Sequence, residues 1–490
     1  MSETHVARLG VVDDMFWRTH HGLGPTVVMQ GIWRIDAHIP VAALVRAHAA
    51  LAAGPLNRVV RRARIPFARR YFVTTTRVAP IHREPGEIDD VLNWADRMAR
   101  RPIDVDEGPV WELSLAYETG GATTISLVCS HLVADGRTML DLAAAALHES
   151  TTPGPSAQES ITQGSGARGP AAPGVADDVT DALSQLAALG RVARTIVRGV
   201  TDRHVRRELL SALPSRAVPL RDGPTRSAPG RAGWREPTQI VDFDVADWDE
   251  AATRHGGSST ALLAAIAGCA AGVLRETDDV EVAIPIARRA DAHGPRRDMA
   301  SPADGGMRAS CRDARSEALS AAVVRTPRPP SADLTSIERQ LRDARECLTG
   351  DPAAHRTHRS PAFGPPAGMP PQLLHLVGDR IAHRLIPDPG AGDALASVLH
   401  SDADAFSPDA LTGGRAASLF SRIAVRAVYP QLTAATADQT RMSLRAWMIR
   451  NGSVVTVAFC APDVQVVDAT DLANVIEHCA KQWGLTPTPW

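Results

Sequence analysis

The chain predicts an α/β (α+β) protein built from two mixed strand–helix lobes, and three observations carry that expectation. Residues 123–147 run from a β-branched, apolar strand through a short turn into an alanine-rich helix. Residues 260–286 give a nearly all-apolar helix and then a second buried strand. Between these halves, residues 149–178 are rich in Ser, Gly, Pro and Thr and lack apolar periodicity, as a flexible surface linker would. At 490 residues the chain also exceeds one ordinary hydrophobic core. The expected division is a first lobe over 1–148, a linker with a basic helix over 149–237, and a second lobe over 238–490.

In the first lobe, residues 31–36 alternate as a strand, and 41–53 form an alanine-rich helix opening after Pro40. A strand is expected over 70–76, a helix over 88–101, and a proline-marked crossing over 101–112 leading to a strand at 113–117. Gly120 and Gly121 then turn the chain into the strand that starts at Thr123. After the linker, residues 179–213 read as a basic amphipathic helix. Leu186, Leu189, Ala193, Ile196, Val197 and Val200 form its apolar stripe. Two readings fit it: packing on the protein with the arginines in solvent, or contact with a membrane surface or an acidic partner. A second loose stretch covers 221–237.

The second lobe opens with an alternating strand at 238–244, a helix at 247–254, and a break from His255 into the buried helix of 260–274. The strand at 280–286 ends near Arg288 and Arg289. Residues 290–306, 324–333 and 351–372 are rich in Pro, Gly or charge and read as loops. At the end of the chain, 444–449 and 453–460 flank Asn451-Gly452, the signature of a type I′ hairpin. A final helix covers 468–483, with Gly484 just past its end.

Composition narrows the function classes. The hydrophobic fraction of 44%, charged fraction of 22% and net charge of −2 fit a globular protein with no global field for nucleic acid or anionic membrane. The six cysteines are scattered, with no CxxC pair and no zinc-type spacing, which fits small core residues in a reducing compartment. Residues 1–17 show no basic segment followed by an apolar run, and no stretch approaches about 18 uninterrupted apolar residues. The expectation is a cytoplasmic chain without a metal or a permanently bound cofactor. The adjacent His20 and His21 have no carboxylate or cysteine pattern around them to suggest a metal site.

The chemistry-bearing stretch is Ser130, His131, Asp135 and Gly136, delivered by the buried strand into the turn before the helix. A strand end fixes position while the loop gives access. An imidazole there suits general base work. Asp135 reads equally as a helix N-cap or as half of an ion pair. Ser130 either donates a hydrogen bond or fills space. Trp111 and Glu112 read as packing and surface.

The order of these landmarks resembles the CoA- and carrier-dependent acyltransferase superfamily, which includes chloramphenicol acetyltransferase and the condensation domains of peptide synthetases. Within it, the chain is most similar to bacterial wax ester synthase/diacylglycerol acyltransferase-like proteins. Leu9-Gly-Val-Val-Asp13-Asp-Met-Phe16 stands where that family has its "leucine-small-x-x-Asp-x-x-Phe" segment. Pro102-Ile-Asp104 with Pro109-Val-Trp111-Glu112 looks like "Pro-Leu-Asp…Pro-Leu-Trp-Glu", and Ser130-His131 through Asp135-Gly136 matches HHxxxDG. Residues Gly257 to Ala264 echo a family helix start, and Ile284-Pro-Ile-Ala-Arg-Arg289 matches a family strand end. Three departures stand out. The first motif His is Ser130, the loop after Arg289 lacks the usual Gly-Asn step, and the family's Ser-Asn-x-Gly has its nearest analogue around Ser397, without the Asn and Gly.

The resemblance implies two chloramphenicol-acetyltransferase-like lobes forming a V around a channel, with His131 at its middle. It implies that His131 is the base, that Asp135 pairs with an arginine for which Arg289 is the candidate, and that Gly136 permits the close turn into the helix. The implied donor is an acyl-CoA or a phosphopantetheine-linked thioester, and the acceptor an alcohol or amine in lipid or natural-product biosynthesis. The implied partner is an acyl or peptidyl carrier protein; a peripheral membrane contact is the second reading of the basic helix, and the charge balance predicts no nucleic acid. Ser130 and the altered second-lobe segments leave two alternatives open. One is a catalytically silent, condensation-like binding module, and the other is cyclisation or dehydration of a thioester-bound chain.

Overall fold

Strand β1 (Val28–Ile35) shows why the first sheet is covered on both faces. Its odd residues Met29, Trp33 and Ile35 enter one apolar cluster, while Ile32 and Val28 enter clusters on the opposite side. A strand carrying apolar residues at both parities needs a layer on each side. Helices α2 (Val41–Ala53) and α4 (Gly136–Thr151) supply the first layer, and α3 (Val91–Ala99) the second. We describe residues 6–22, 25–151, 172–200, 234–286, 320–327, 333–349, 396–402, 421–437, 442–466 and 468–490 of a computed structural model.

The remaining strands are β2 (Arg58–Arg61), β3 (Tyr71–Thr74), β4 (His82–Ile88), β5 (Trp111–Glu118), β6 (Thr123–Ser130), β7 (Thr238–Asp244), β8 (Asp279–Ile286), β9 (Ser320–Pro327), β10 (Ala396–Asp402), β11 (Ser421–Val428), β12 (Leu444–Asn451), β13 (Val454–Cys460) and β14 (Thr488–Pro489). The first large sheet has the order β11-β1-β6-β5-β4, and the second β14-β7-β13-β12-β10-β8-β9. β2 and β3 form a separate hairpin-like pair. The expected α/β architecture with two lobes is what the chain adopts. β6 is buried along its whole length, as its composition predicts.

Around the second sheet lie α6 (Val245–Arg254), α7 (Ser259–Arg275), α8 (Thr335–Thr349) and α10 (Ala469–Lys481), with the single turn α9 (Ala434–Ala437) between β11 and β12. Helix α7 is buried from Ala261 to Gly272, because its apolar residues surround the axis instead of forming one stripe. It crosses β9 so closely that a Cβ on Gly268 would lie 2.0 Å from Thr326 Oγ1. Side chains cap these helices: Asp244 accepts from Ala246 and Asp247 N–H, and Ser258 accepts from Ala261 N–H.

Three expectations need correction. Residues 320–327 form β9 although 324–333 reads as a loop, because Ala322 and Val324 bury against α7 and outweigh the flanking prolines. The terminal hairpin closes through Gly452 and Ser453, since Asn451 pairs with Val454. Gly452 has φ +56 while Ser453 is not in the positive-φ region, so the loop follows the II′ pattern with Gly first, not I′. Glu112, expected at the surface, is buried and is an ion-pair partner of Arg101.

The basic helix is α5 (Val175–Val200), and residues 201–213 of the expected helix lie outside the described residues. Its first turns are docked by charge. Asp178, with no exposed surface, bonds Arg8 at 2.6 Å and accepts from Arg64 N–H at 2.9 Å, and Asp181 pairs with Arg69 at 2.7 Å. Packing on the first lobe is therefore the reading the helix start supports. Among the described residues, no single helix is long and apolar enough to cross a membrane.

Strand β11 comes from the stretch assigned to the second lobe but pairs with β1 over eight residues, Val28↔Val428 to Ile35↔Ser421. Arg426 anchors it. Its guanidinium has no exposed surface, donates to Gln30 Oε1 at 2.8 Å and pairs with Asp96 of α3 at 2.6 Å. From the same strand Arg422 reaches Asp242 of β7 at 3.5 Å, and Trp490 Nε1 donates to that carboxylate at 3.0 Å. Burial holds the Asp242 carboxyl above its ordinary range, and the Thr456, Trp490 and arginine contacts offset part of that. Removing a partner from a buried pair strands the other charge, so Arg426→Ala is expected to lower stability by about 3–5 kcal/mol. Guanidinium denaturation of the two proteins reads this out, and a loss below about 1 kcal/mol would show that β11 is held by other contacts.

Candidate active site

Asp104 begins the assembly of the site. Its Oδ1 accepts the N–H groups of Asp106 and Glu107, each at 2.9 Å, and its carbonyl accepts Gly108 N–H at 2.9 Å. Gly108 sits at φ +82, a region where a side chain would be strained. The loop so folded offers Asp106 to helix α1 (Val11–Thr19). Asp106 accepts Trp17 Nε1–H at 2.9 Å and lies 3.1 Å from His21 Nε2. Asp14 holds the same helix from another side, bonding Arg18 and Arg70, each at 2.7 Å, and Arg70 stacks 3.6 Å over the Trp17 ring. Asp13 caps the helix by accepting Gly10 N–H at 2.9 Å.

Helix α1 then meets the end of β6. Phe16 stacks on the His131 ring, centroids 4.0 Å apart and planes 14° apart. One turn later, His20 Nε2 lies 2.7 Å from Ser130 Oγ. Ser130 is fully buried and its hydroxyl also accepts Leu132 N–H at 3.2 Å. Its carbonyl accepts the N–H groups of Val133 and Ala134, and its own N–H donates to Val110 O. His131 N–H donates to Val27 O at 3.1 Å, and the residue is half-buried while Leu132, Val133 and Ala134 are fully buried. The half-buried His131 thus stands on a stretch of backbone held by hydrogen bonds to Val27 and Val110.

Burial, then the neighbouring His21, push the His20 imidazole down to about 4, against opposing pulls from Asp106 and Asp104. His20 is therefore neutral around pH 7. The Ser130 hydroxyl, which accepts Leu132 N–H, can give its own proton to Nε2 when the neutral ring carries its hydrogen on Nδ1.

Asp135 is exposed, and its Oδ1 accepts Thr138 N–H at 2.7 Å, so it caps α4. Of its two sequence readings, the cap is the contact present. The candidate partner Arg289 lies outside the described residues. Gly136 is needed for a different reason from the one expected. Its backbone packs against β11 and β1, and a Cβ there would lie 2.9 Å from Val425 Cγ1 and 3.3 Å from Met29 Cε. Close approach of two elements, not a turn, excludes a side chain. Ser397 lies on β10, whose register places it beside Ala283 of β8 and Arg445 of β12. His20 and His21 face different partners, Ser130 and Asp106. His355, His358, His375 and His383 lie outside the described residues.

Sequence reasoning missed Phe16 and His20 as parts of this site. Phe16 was visible only as the last letter of a family segment, and His20 only as half of a histidine pair. Their four-residue spacing puts both rings on one face of α1.

No family model matches the chain, and no curated protein matches it. Solved structures do. The first condensation domain of the calcium-dependent antibiotic synthetase, in complex with a substrate analogue, aligns over 98% of this chain and 96% of its own, with a TM-score of 0.52 and 16% identity. A second complex of that domain aligns over the same 98% and 96%, at 0.51 and 17%. The starter condensation domain of rhizomide synthetase RzmA aligns over 98% and 94%, at 0.50 and 13%. At these identities the fold is what is shared: two chloramphenicol-acetyltransferase-like lobes, as the sequence resemblance implies.

Two outcomes follow from the geometry. Gly136→Ala should cost about 1–3 kcal/mol through overpacking against Val425, read as a lowered denaturation midpoint. His20 titrates near 6.5 when unfolded and at about 4 when folded, so between those values only the unfolded chain takes up the proton. Stability should therefore fall as pH drops through that window, by at most roughly 3 kcal/mol from this group. His20→Gln should remove that component, so its stability relative to the parent should rise on acidification. A constant difference from about pH 7 to 4 would show that His20 does not titrate this way.

Proposed function

We propose that the protein is a thioester-dependent acyltransferase acting in natural-product biosynthesis. The observation that carries the reading is the half-buried His131, its ring stacked on Phe16 at the end of the interior strand β6 of a condensation-domain fold. The donor is an acyl or peptidyl thioester on phosphopantetheine, carried by coenzyme A or by a carrier protein. The acceptor is an alcohol or amine. The wax ester synthase/diacylglycerol acyltransferase-like form of the reaction rests on the motif order from Leu9 to Arg289 alone.

In this reading His131 removes the acceptor's proton as its oxygen or nitrogen attacks the thioester carbonyl. The tetrahedral intermediate collapses by breaking the carbon–sulfur bond, and the departing thiolate takes the proton from the imidazolium. No serine or cysteine nucleophile is needed, because a thioester is already a good electrophile. General base catalysis of this kind is worth about 10²–10⁴-fold. Asp135 and Gly136 act on the frame: one caps α4, and the other lets α4 seat against β11. Ser130 supports the turn from beneath. Arg289 and Ser397 are proposed as the second lobe's contribution.

The test is product analysis by mass spectrometry, with a panel of acyl-CoA and acyl-carrier-protein donors and mixed alcohol and amine acceptors. The parent protein should form an ester or amide, and a folded His131→Ala variant should lose about 10²–10⁴-fold of that rate. Product from both at similar rates would remove His131 as the base. Donor binding without product from either would favour a silent binding module.

A further inference from the structure

Helix α1 offers two rings, four residues apart, to two consecutive residues of the site strand. Phe16 meets His131 face to face at 4.0 Å, and His20 meets Ser130 at 2.7 Å. We propose that α1 is a positioning clamp for the base: Phe16 sets the plane of the His131 ring, and His20, through Ser130, locks the turn that carries it. This rests on the acyl-transfer reading for what the clamp serves, while the clamp itself is a property of the residues in contact.

The bonds around Ser130 give the lock its mechanism. The Ser130 hydroxyl can take the Leu132 amide and give its own proton to His20 Nε2 at the same time. Without an acceptor at that place, the hydroxyl would bury an unused donor, and its rotamer would be free to leave the Leu132 amide. The peptide between Ser130 and Leu132 is the one that carries His131. Holding it from both sides restrains the ring's origin, while Phe16 restrains its plane. A base must sit within hydrogen-bond reach of the proton it removes, and an error near 1 Å can cost about 10²-fold.

The clamp is also fixed to the body of the lobe. Asp14 pairs with Arg70 and Arg18, and Asp106 bonds Trp17 and lies beside His21, so α1 is held on faces other than the one it presents to β6. His20 can act in this way as a neutral ring with its hydrogen on Nδ1, and burial is the main cause of its staying uncharged around pH 7. A charged ring would carry a proton on Nε2 and would offer Ser130 no acceptor.

The experiment combines histidine ring NMR with kinetics on the full chain. Uniform 15N-histidine labelling gives ring correlations, and His131→Gln assigns the His131 signal by its loss. In His20→Ala, the His131 ring signal should broaden or move and its titration midpoint should shift. Acyl transfer should slow by about 10–100-fold in kcat, with KM for the donor changed less than about threefold. His20→Gln keeps an acceptor oxygen at the end of its side chain and should restore most of the signal and the rate. Phe16→Leu keeps the volume without the stack and should disturb the His131 ring while leaving the Ser130 side of the turn intact. It also serves if His20→Ala proves unstable. An unchanged His131 signal in His20→Ala and Phe16→Leu, or a disturbed signal with unchanged kcat, overturns the clamp. A disturbed signal restored by His20→Gln in a protein that transfers no acyl group from any donor keeps the clamp and overturns the acyl-transfer reading instead.

Discussion

A guanidinium with no exposed surface holds this molecule together. Arg426 lies on β11, a strand that comes from late in the chain and completes the first sheet, and it bonds Gln30 on the neighbouring strand and Asp96 on α3. Burying a cation is costly unless it is paired and hydrogen-bonded, and these two partners are what offset that cost for β11. Gln30 is met in turn, donating to Ala95 O at 2.7 Å and Ser126 Oγ at 2.9 Å. That polar thread crosses β11, β1 and β6 beneath α3. It fixes the register of the three strands, and with it the height at which β6 ends. β1 and β11 together also supply Met29 and Val425, against which Gly136 seats the start of α4. The site in the first lobe is therefore built in part by residues more than 280 positions downstream.

The other constraint on the site runs through short polar contacts. Asp104 folds a loop onto its own backbone, the loop delivers Asp106, and Asp106 takes Trp17 and stands beside His21. Those contacts orient α1, which brings Phe16 and His20 to the end of β6. Hydrogen bonds to a charged carboxylate are stronger and shorter than neutral ones, so a few of them can aim a nine-residue helix that would be marginal alone. The motif-like segments around residues 9–16, 102–112 and 130–136 thus converge on one structural task.

This convergence explains what could be read in the sequence. The buried strand from residue 123 to 128, which extends to Ser130, the buried helix near 260–274 and the two-lobed plan were legible, because each depends on local composition and period. The cap made by Asp135 was legible as one of two alternatives. The membership of β11 was not, since nothing within residues 421–428 says which sheet they complete; that is decided by Arg426 and Gln30, nearly 400 residues apart. β9 escaped notice because its burial depends on α7 crossing at Gly268, a contact between distant segments. The same holds at the site. His131 stood out through its strand and its neighbours in sequence, whereas Phe16 and His20 matter through a meeting of distant elements. Gly136 shows the same limit, because a tight turn is a local idea that a motif can suggest, whereas the close approach to Val425 and Met29 is not.

The serine at position 130 is the point where local and global readings differ most. Taken alone, a serine in place of the first histidine of HHxxxDG looks like the loss of a working part. In the folded chain an imidazole still stands next to that position, because His20 arrives from α1 and bonds the serine. A smaller side chain on the strand and a ring on the neighbouring helix fill the space together, and the pair retains both a donor and an acceptor. The exchange has a physical consequence. Two adjacent histidines on one strand share that strand's motions, while Ser130 and His20 tie the strand to a helix that is itself tied to Asp14, Arg70 and Asp106. The altered motif binds the turn to a second element, and so restrains His131 more than the sequence change by itself would suggest. On that ground Ser130 counts as a rearranged support for the turn that carries His131.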